Sequence, residues 1–148
     1  LFNPMIFFTG LSISLFVGIN FFFGLNVTVI YFITAVYGIS VLEAQNYFSH
    51  YGLRRKMKEN GRYERVKQEH SWNSDHIIGR VLLFELTRHS DHHHSGAKSY
   101  QVLESKDDSP TLPYGYPAML MLSYFPFLFK PIMKKRLDFY RNKTITST

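Results

Sequence analysis

Cysteine is absent from all 148 residues. That excludes disulfides, iron–sulfur clusters, thiolate-ligated haem and cysteine-based zinc sites, so any metal must sit on histidine and carboxylate. Charge is missing too, but from one end only. Between Leu1 and Leu42 there is no Asp, Glu, Lys or Arg, whereas all 17 basic and 10 of the 11 acidic residues lie beyond Tyr47. A chain-wide mean hydropathy of -0.13 conceals this split. The chain opens on Leu1 with no basic n-region and no small-residue cleavage site, which reads as part of a longer polypeptide rather than a signal peptide. The basic remainder carries no nucleic-acid-binding motif, and positive charge just after an apolar span marks a cytoplasmic flank.

Two uncharged runs come first. Met5 to Phe23 is 19 residues, about 28 Å of helix at roughly 1.5 Å per residue, close to the hydrocarbon core of a bilayer. A turn at Gly24-Leu25-Asn26 then precedes a second run from Val27 to Leu42. The expectation is an all-α, integral-membrane chain: a transmembrane helical hairpin over 1–51, then a cytosol-facing region over 52–148. Arg54, Arg55, Lys56 and Lys58 follow the second span and place its C-terminal end on the cytoplasmic side. Apolar residues at Ile77, Ile78, Val81, Leu82 and Leu86 predict one helix from about Asp75 to His94. A third apolar run, Tyr116 to Phe129, contains Pro117 and Pro126 and is too short to span, so it should lie at the interface or pack on the hairpin. Lys130, Lys134, Lys135 and Arg136 then fall at headgroup level, and the tail beyond Asn142 should fray.

Of seven histidines, four cluster in Arg88-His89-Ser90-Asp91-His92-His93-His94. His89, His92 and His93 stand at i, i+3 and i+4, one face of a helix, and neutral imidazoles so placed suit a transition metal. Asp91 is positioned to receive the second ring N–H of a ligand. His94 shares that face poorly and reads as an exposed residue. Further upstream Glu43, Asn46, Tyr47 and His50 fall at i, i+3, i+4 and i+7, sharing a face at the end of the second span, with Gly52 as its C-cap. Ionisable groups at such a place are costly and usually functional, although an interfacial His and Tyr also anchor helix ends.

These segments resemble the membrane-bound alkane 1-monooxygenases and their xylene-hydroxylating relatives. The family's N-Y-x-E-H-Y-G-L is answered by Asn46-Tyr47-Phe48-Ser49-His50-Tyr51-Gly52-Leu53. Its G-R-Y-E-R and E-H-S-W-N-S appear as Gly61-Arg62-Tyr63-Glu64-Arg65 and Glu69-His70-Ser71-Trp72-Asn73-Ser74. Its L-Q-R-H-S-D-H-H and L-P-x-G-Y-P correspond to Leu86-Thr87-Arg88-His89-Ser90-Asp91-His92-His93 and Leu112-Pro113-Tyr114-Gly115-Tyr116-Pro117. The resemblance implies a six-helix enzyme of the bacterial inner membrane with a cytosol-facing centre of two non-haem iron ions. It implies that rubredoxin supplies electrons and that O2 is used to hydroxylate a terminal methyl group of an apolar hydrocarbon. Metal ligands carry over to His50, His89, His92 and His93, with Glu43 and Asp91 as outer carboxylates. The family's two upstream motifs, H-E-x-x-H and E-H-x-x-x-H-H, are not in this sequence, so the chain alone should be inactive. Ser49 stands where the family has Glu, which puts metal tuning beside His50 in doubt, and Thr87 stands where it has Gln. A histidine-box fatty-acid or xylene hydroxylase or desaturase, and a membrane metal-binding or transport protein, remain alternatives. The former uses boxes of other spacing, and the latter would be expected to carry polar ligands within its spans.

Overall fold

A computed structural model describes residues 3–106 and 109–146. The regular elements among the described residues are helices, with two isolated β-bridges and no strand. They form two compact units, 1–42 and 43–148.

Helix α1 runs from Pro4 to His50. Asn3 caps it, its Oδ1 accepting the Met5 N–H at 2.9 Å, and Pro4 takes the first turn, where its missing N–H costs nothing. Gly24 interrupts α1 with φ 81 and ψ 174, a conformation open to glycine but not to side-chain-bearing residues. The chain doubles back there. The rings of Phe16 and Tyr31 are 5.1 Å apart. In an unbroken helix, 15 residues would separate them by about 22 Å. The reversal is tighter than the expected three-residue turn, because only Gly24 leaves helical angles. Among the described residues α1 is the one helix long and apolar enough to cross a membrane. Its apolar side chains face outward, Phe21 being 81% exposed, a surface that suits lipid and not water.

The second unit surrounds Trp72, which is fully buried with Phe48, Leu112, Tyr116, Met119, Phe129, Met133 and Leu137. Helices α4 (Tyr116–Ser123) and α5 (Pro126–Thr146) supply much of this core. The third apolar run is thus two helices, divided before Pro126, and it packs against the C-terminal turns of α1. Phe129 lies 5.3 and 5.0 Å from the rings of Tyr47 and Tyr51. The tail expected to fray beyond Asn142 continues helical to Thr146, and its last two residues lie outside the described ones.

The single helix expected over 75–94 is two short ones, α2 (Ile77–Leu82) and α3 (His89–His94). Phe84 and Glu85 adopt φ of 49 and 60, which no α-helix can pass through. The Arg80 guanidinium grips the Glu85 carboxylate, with Nε and Nη2 each 2.8 Å from an oxygen, and closes the loop. The stripe that suggested one helix is not a core face either: Ile77, Ile78, Val81 and Leu82 are all exposed.

Candidate metal centre

His50 occupies the last position of α1, and Gly52 turns the chain away in the left-handed conformation at φ 73, as a C-capping glycine should. The chain returns to His50 through segment 70–74. The Trp72 N–H donates to the Ser49 carbonyl and its indole N–H to the Tyr51 carbonyl, both at 2.8 Å. Asn73 and Ser74 then carry the segment on to α3. The Ser74 N–H donates to the Thr87 carbonyl at 2.9 Å, and Asn73 Oδ1 accepts the Ser90 N–H at 2.8 Å. Helix α3 is further held by Ser90 Oγ against Ser109 Oγ at 2.9 Å.

This scaffold brings three of the four expected ligands together. His89 Nε2 is 3.3 Å from His50 Nε2 and 3.0 Å from His93 Nε2, and the three residues form a group able to hold one ion. Two imidazole nitrogens on one ion, each bonded at about 2.0–2.1 Å and 90–109° apart, are themselves separated by about 2.8–3.4 Å. Both separations fall inside that interval. The protonation states also fit. Burial, then the neighbouring His93, His50 and His92, lower the His89 pKa to about 3, and burial lowers that of His93 as well. The His50 Nδ1–H donates to the His70 carbonyl at 3.0 Å, with Ser71 Oγ at 3.3 Å, so the Nε2 lone pair is free to point at the cluster. His89 Nδ1, in contrast, is buried without a well-formed hydrogen bond. The donor set therefore fits a transition-metal ion such as iron.

The other expected residues are placed differently. The His92 ring lies 6.0 Å from that of His89 and 5.5 Å from that of His93, beside the three-nitrogen group rather than in it. His94 is exposed, as expected. Glu43 is exposed two turns before His50. Asp91 is buried, and its Oδ2 accepts from Lys98 Nζ at 2.8 Å and the Glu104 N–H at 2.9 Å. Its contacts among the described residues thus fasten α3 to the segment after it instead of orienting a ligand ring. Burial alone would raise the Asp91 pKa, but these two donors outweigh it and the net shift is downward. Ser49 is fully buried, with its hydroxyl folded back on the Gln45 carbonyl at 2.7 Å. Thr87 is fully buried against Gly79. Sequence reasoning gave no part to His70, Ser71 or Asn73. Their signal was present in the Glu69-to-Ser74 motif, but its role depends on backbone groups far away in sequence.

A cluster of imidazoles able to hold a metal ion, in a chain that also carries a long uncharged helical hairpin, defines a class of histidine-rich proteins suited to a membrane. Comparison with known proteins narrows the class. The fatty acid desaturase family matches residues 2–130, and the chain belongs to that family, within it to the alkane 1-monooxygenase type. It is 40% identical over 138 residues to alkane 1-monooxygenase 2 of Pseudomonas aeruginosa, covering 93% of this chain and 37% of that protein. Alkane 1-monooxygenase 1 of the same organism is 41% identical over 138 residues, covering 93% of this chain and 36% of the relative. Alkane 1-monooxygenase 1 of Alcanivorax borkumensis is 49% identical over 96 residues, which is 65% of this chain and 24% of the relative. The chain thus spans little more than a third of the length of the Pseudomonas relatives.

Proposed function

We propose that this chain supplies the His50, His89, His92 and His93 portion of the metal centre of a terminal alkane hydroxylase. In this reading 1–51 lies in the bacterial inner membrane and 52–148 faces the cytosol. The centre would hold two non-haem irons, which would supply O2 activation; with two electrons from rubredoxin and two protons, one oxygen atom would enter the terminal alcohol of an apolar hydrocarbon and the other would leave as water. The convergence of three Nε2 atoms at metal-ligand spacing is the observation that carries it.

The chain's own residues have definable tasks. His50, His89 and His93 present lone pairs to one ion, and His92, outside that group, is suited to a second. Burial keeps His89 neutral, so no proton competes for its ring at physiological pH. The bound metal would supply the O2 activation that no amino-acid side chain can perform. The exposed apolar surface of α1 matches the phase in which alkanes dissolve. Three or four imidazoles fill only part of a two-iron site, so the remaining ligands belong to the two further histidine motifs of the family and the chain alone is silent.

The test is a chimera in which this chain replaces the matching part of the P. aeruginosa alkane 1-monooxygenase 2. With rubredoxin and its reductase, membranes carrying it should convert octane to 1-octanol. His89→Ala and His93→Ala should each lose turnover and bound iron while membrane insertion persists. Undiminished iron and turnover in both variants would sink the ligand assignment, and an alkene product would reassign the reaction. Rubredoxin-dependent octane oxidation by the 148-residue chain alone would refute the partial-site reading.

A further inference from the structure

Glu64, Glu69 and His70 form a second group whose potential ligand atoms lie within 4.8 Å of one another. Its hydrogen bonds argue against a metal there. His70 Nδ1 accepts the Lys67 backbone N–H at 2.9 Å, so the neutral ring carries its proton on Nε2. That N–H faces Glu64 Oε1 at 3.4 Å and Glu69 Oε1 at 3.5 Å. A cation is already present, since Lys67 Nζ lies 2.9 Å from Glu64 Oε2 and 3.6 Å from Glu69 Oε1. Glu64 is tied down on its other side, where Oε1 accepts the Lys56 N–H at 2.9 Å.

His70 is thus fixed at three points. Its ring spans Lys67 N–H and Glu64, and its own N–H donates to the Lys67 carbonyl at 3.1 Å, closing the 3-10 turn Gln68–His70. One polar group is left, the carbonyl, and it receives the His50 Nδ1–H. A neutral imidazole with its proton held on Nδ1 has only Nε2 to offer a metal.

We propose that Glu64 and His70 are positioning residues for His50. Glu64 anchors the His70 ring, the ring caps the 3-10 turn, and the turn aims the carbonyl that selects the metal-binding tautomer of His50. The proposal rests on the metal-centre reading and goes beyond it, because it assigns work to a histidine that is not itself a ligand.

Glutamine reproduces both ring contacts of His70: its carbonyl oxygen can accept the Lys67 N–H and its amide can donate to Glu64. Alanine reproduces neither. The 148-residue chain in detergent micelles is titrated anaerobically with Co(II), and the d–d absorption is followed. His70→Ala should weaken Co(II) binding about 10–100-fold, the usual effect of losing an outer partner of a ligating histidine. His70→Gln should retain the parent affinity and band positions, and His50→Ala should lose the site. Equal impairment of His70→Gln and His70→Ala would make the ring a ligand and overturn the proposal. Full affinity in His70→Ala beside loss in His50→Ala would overturn it alone. Full affinity in both would overturn the metal-centre reading with it. If His70→Ala does not fold, judged by Trp72 emission, nitrogen-15 NMR of the metal-free parent decides. The His50 signal is assigned by its loss in His50→Gln. A proton on Nδ1 supports the proposal, and a proton on Nε2 refutes it.

Discussion

Replacing Gly52 by alanine should destabilise the second unit through two separable effects. The first is conformational: at φ 73 an alanine pays roughly 1–2 kcal/mol for the left-handed backbone that glycine adopts freely. The second is steric. A Cβ built on Gly52 falls 2.7 Å from Leu137 Cδ2, well inside van der Waals contact. Leu137 belongs to the core around Trp72, so its side chain has little room to retreat, and overpacking of this kind costs about 1–3 kcal/mol. Together they predict a loss of about 2–5 kcal/mol. Truncating Leu137 removes the obstruction, so in a Leu137→Ala background the same substitution should cost only the backbone share, about 1–2 kcal/mol. The chain has a single tryptophan, Trp72, fully buried in this core, so denaturant unfolding followed by its fluorescence reads the second unit alone. Equal costs of Gly52→Ala in the two backgrounds would refute the steric argument. No cost in either would refute the conformational one as well.

Glu64 gives a pH dependence. Its backbone bond from Lys56, then its pairing with Lys67, lower its pKa from 4.5 to about 2. A depressed carboxylate contributes stability that is present above the unfolded pKa and is lost as pH falls toward the folded one. Glu64→Gln should therefore flatten the loss of stability between about pH 4.5 and 2, and an unchanged acid limb in Trp72-monitored unfolding would contradict the network. In the proposed reading the exposed basic segment after His50 steers an acidic electron donor, and Arg55→Glu with Lys58→Glu should raise the KM for rubredoxin in the chimera, most at low salt. An unchanged KM and salt dependence, with topology preserved by a reporter fusion, would reduce the segment to a topology signal.

Those parts of the molecule that depend on neighbours in sequence were legible in it. The uncharged run and Gly24 announced the doubled-back α1, and Gly52 announced its end. The spacing of His89 and His93, one helical turn, announced that their rings would share a face. What depends on distant backbone was hidden. The apolar stripe over 77–86 continued through Phe84 and Glu85, and only the Arg80–Glu85 clasp, with two residues held at positive φ, reveals the break. The role of segment 70–74 was likewise out of reach. Its partners include the carbonyls of Ser49, Tyr51, Thr87 and Pro110, and no side-chain pattern records a bond to a carbonyl.

The same distinction explains how three imidazoles are held close. A six-residue helix such as α3 is far below the length of about 12–15 residues at which isolated helices persist. Its orientation therefore comes from its anchors: Asn73 at the Ser90 N–H, Ser109 at the Ser90 hydroxyl, and Lys98 and Glu104 at Asp91. Asp91 thus acts on the whole helix, and through it on His89 and His93 together, where the sequence suggested action on one ring. His50 has the opposite support, the end of a long helix whose last turns are packed by Trp72 and Phe129. A ligand on a rigid helix end, facing two on a short helix pinned by buried polar bonds, lets Nε2 atoms 39 residues apart in sequence meet at 3.3 Å. The distance is set by segment 70–74, which bonds to the α1 end, His50 included, on one side and to α3 on the other, and so a change there moves the ligands against each other.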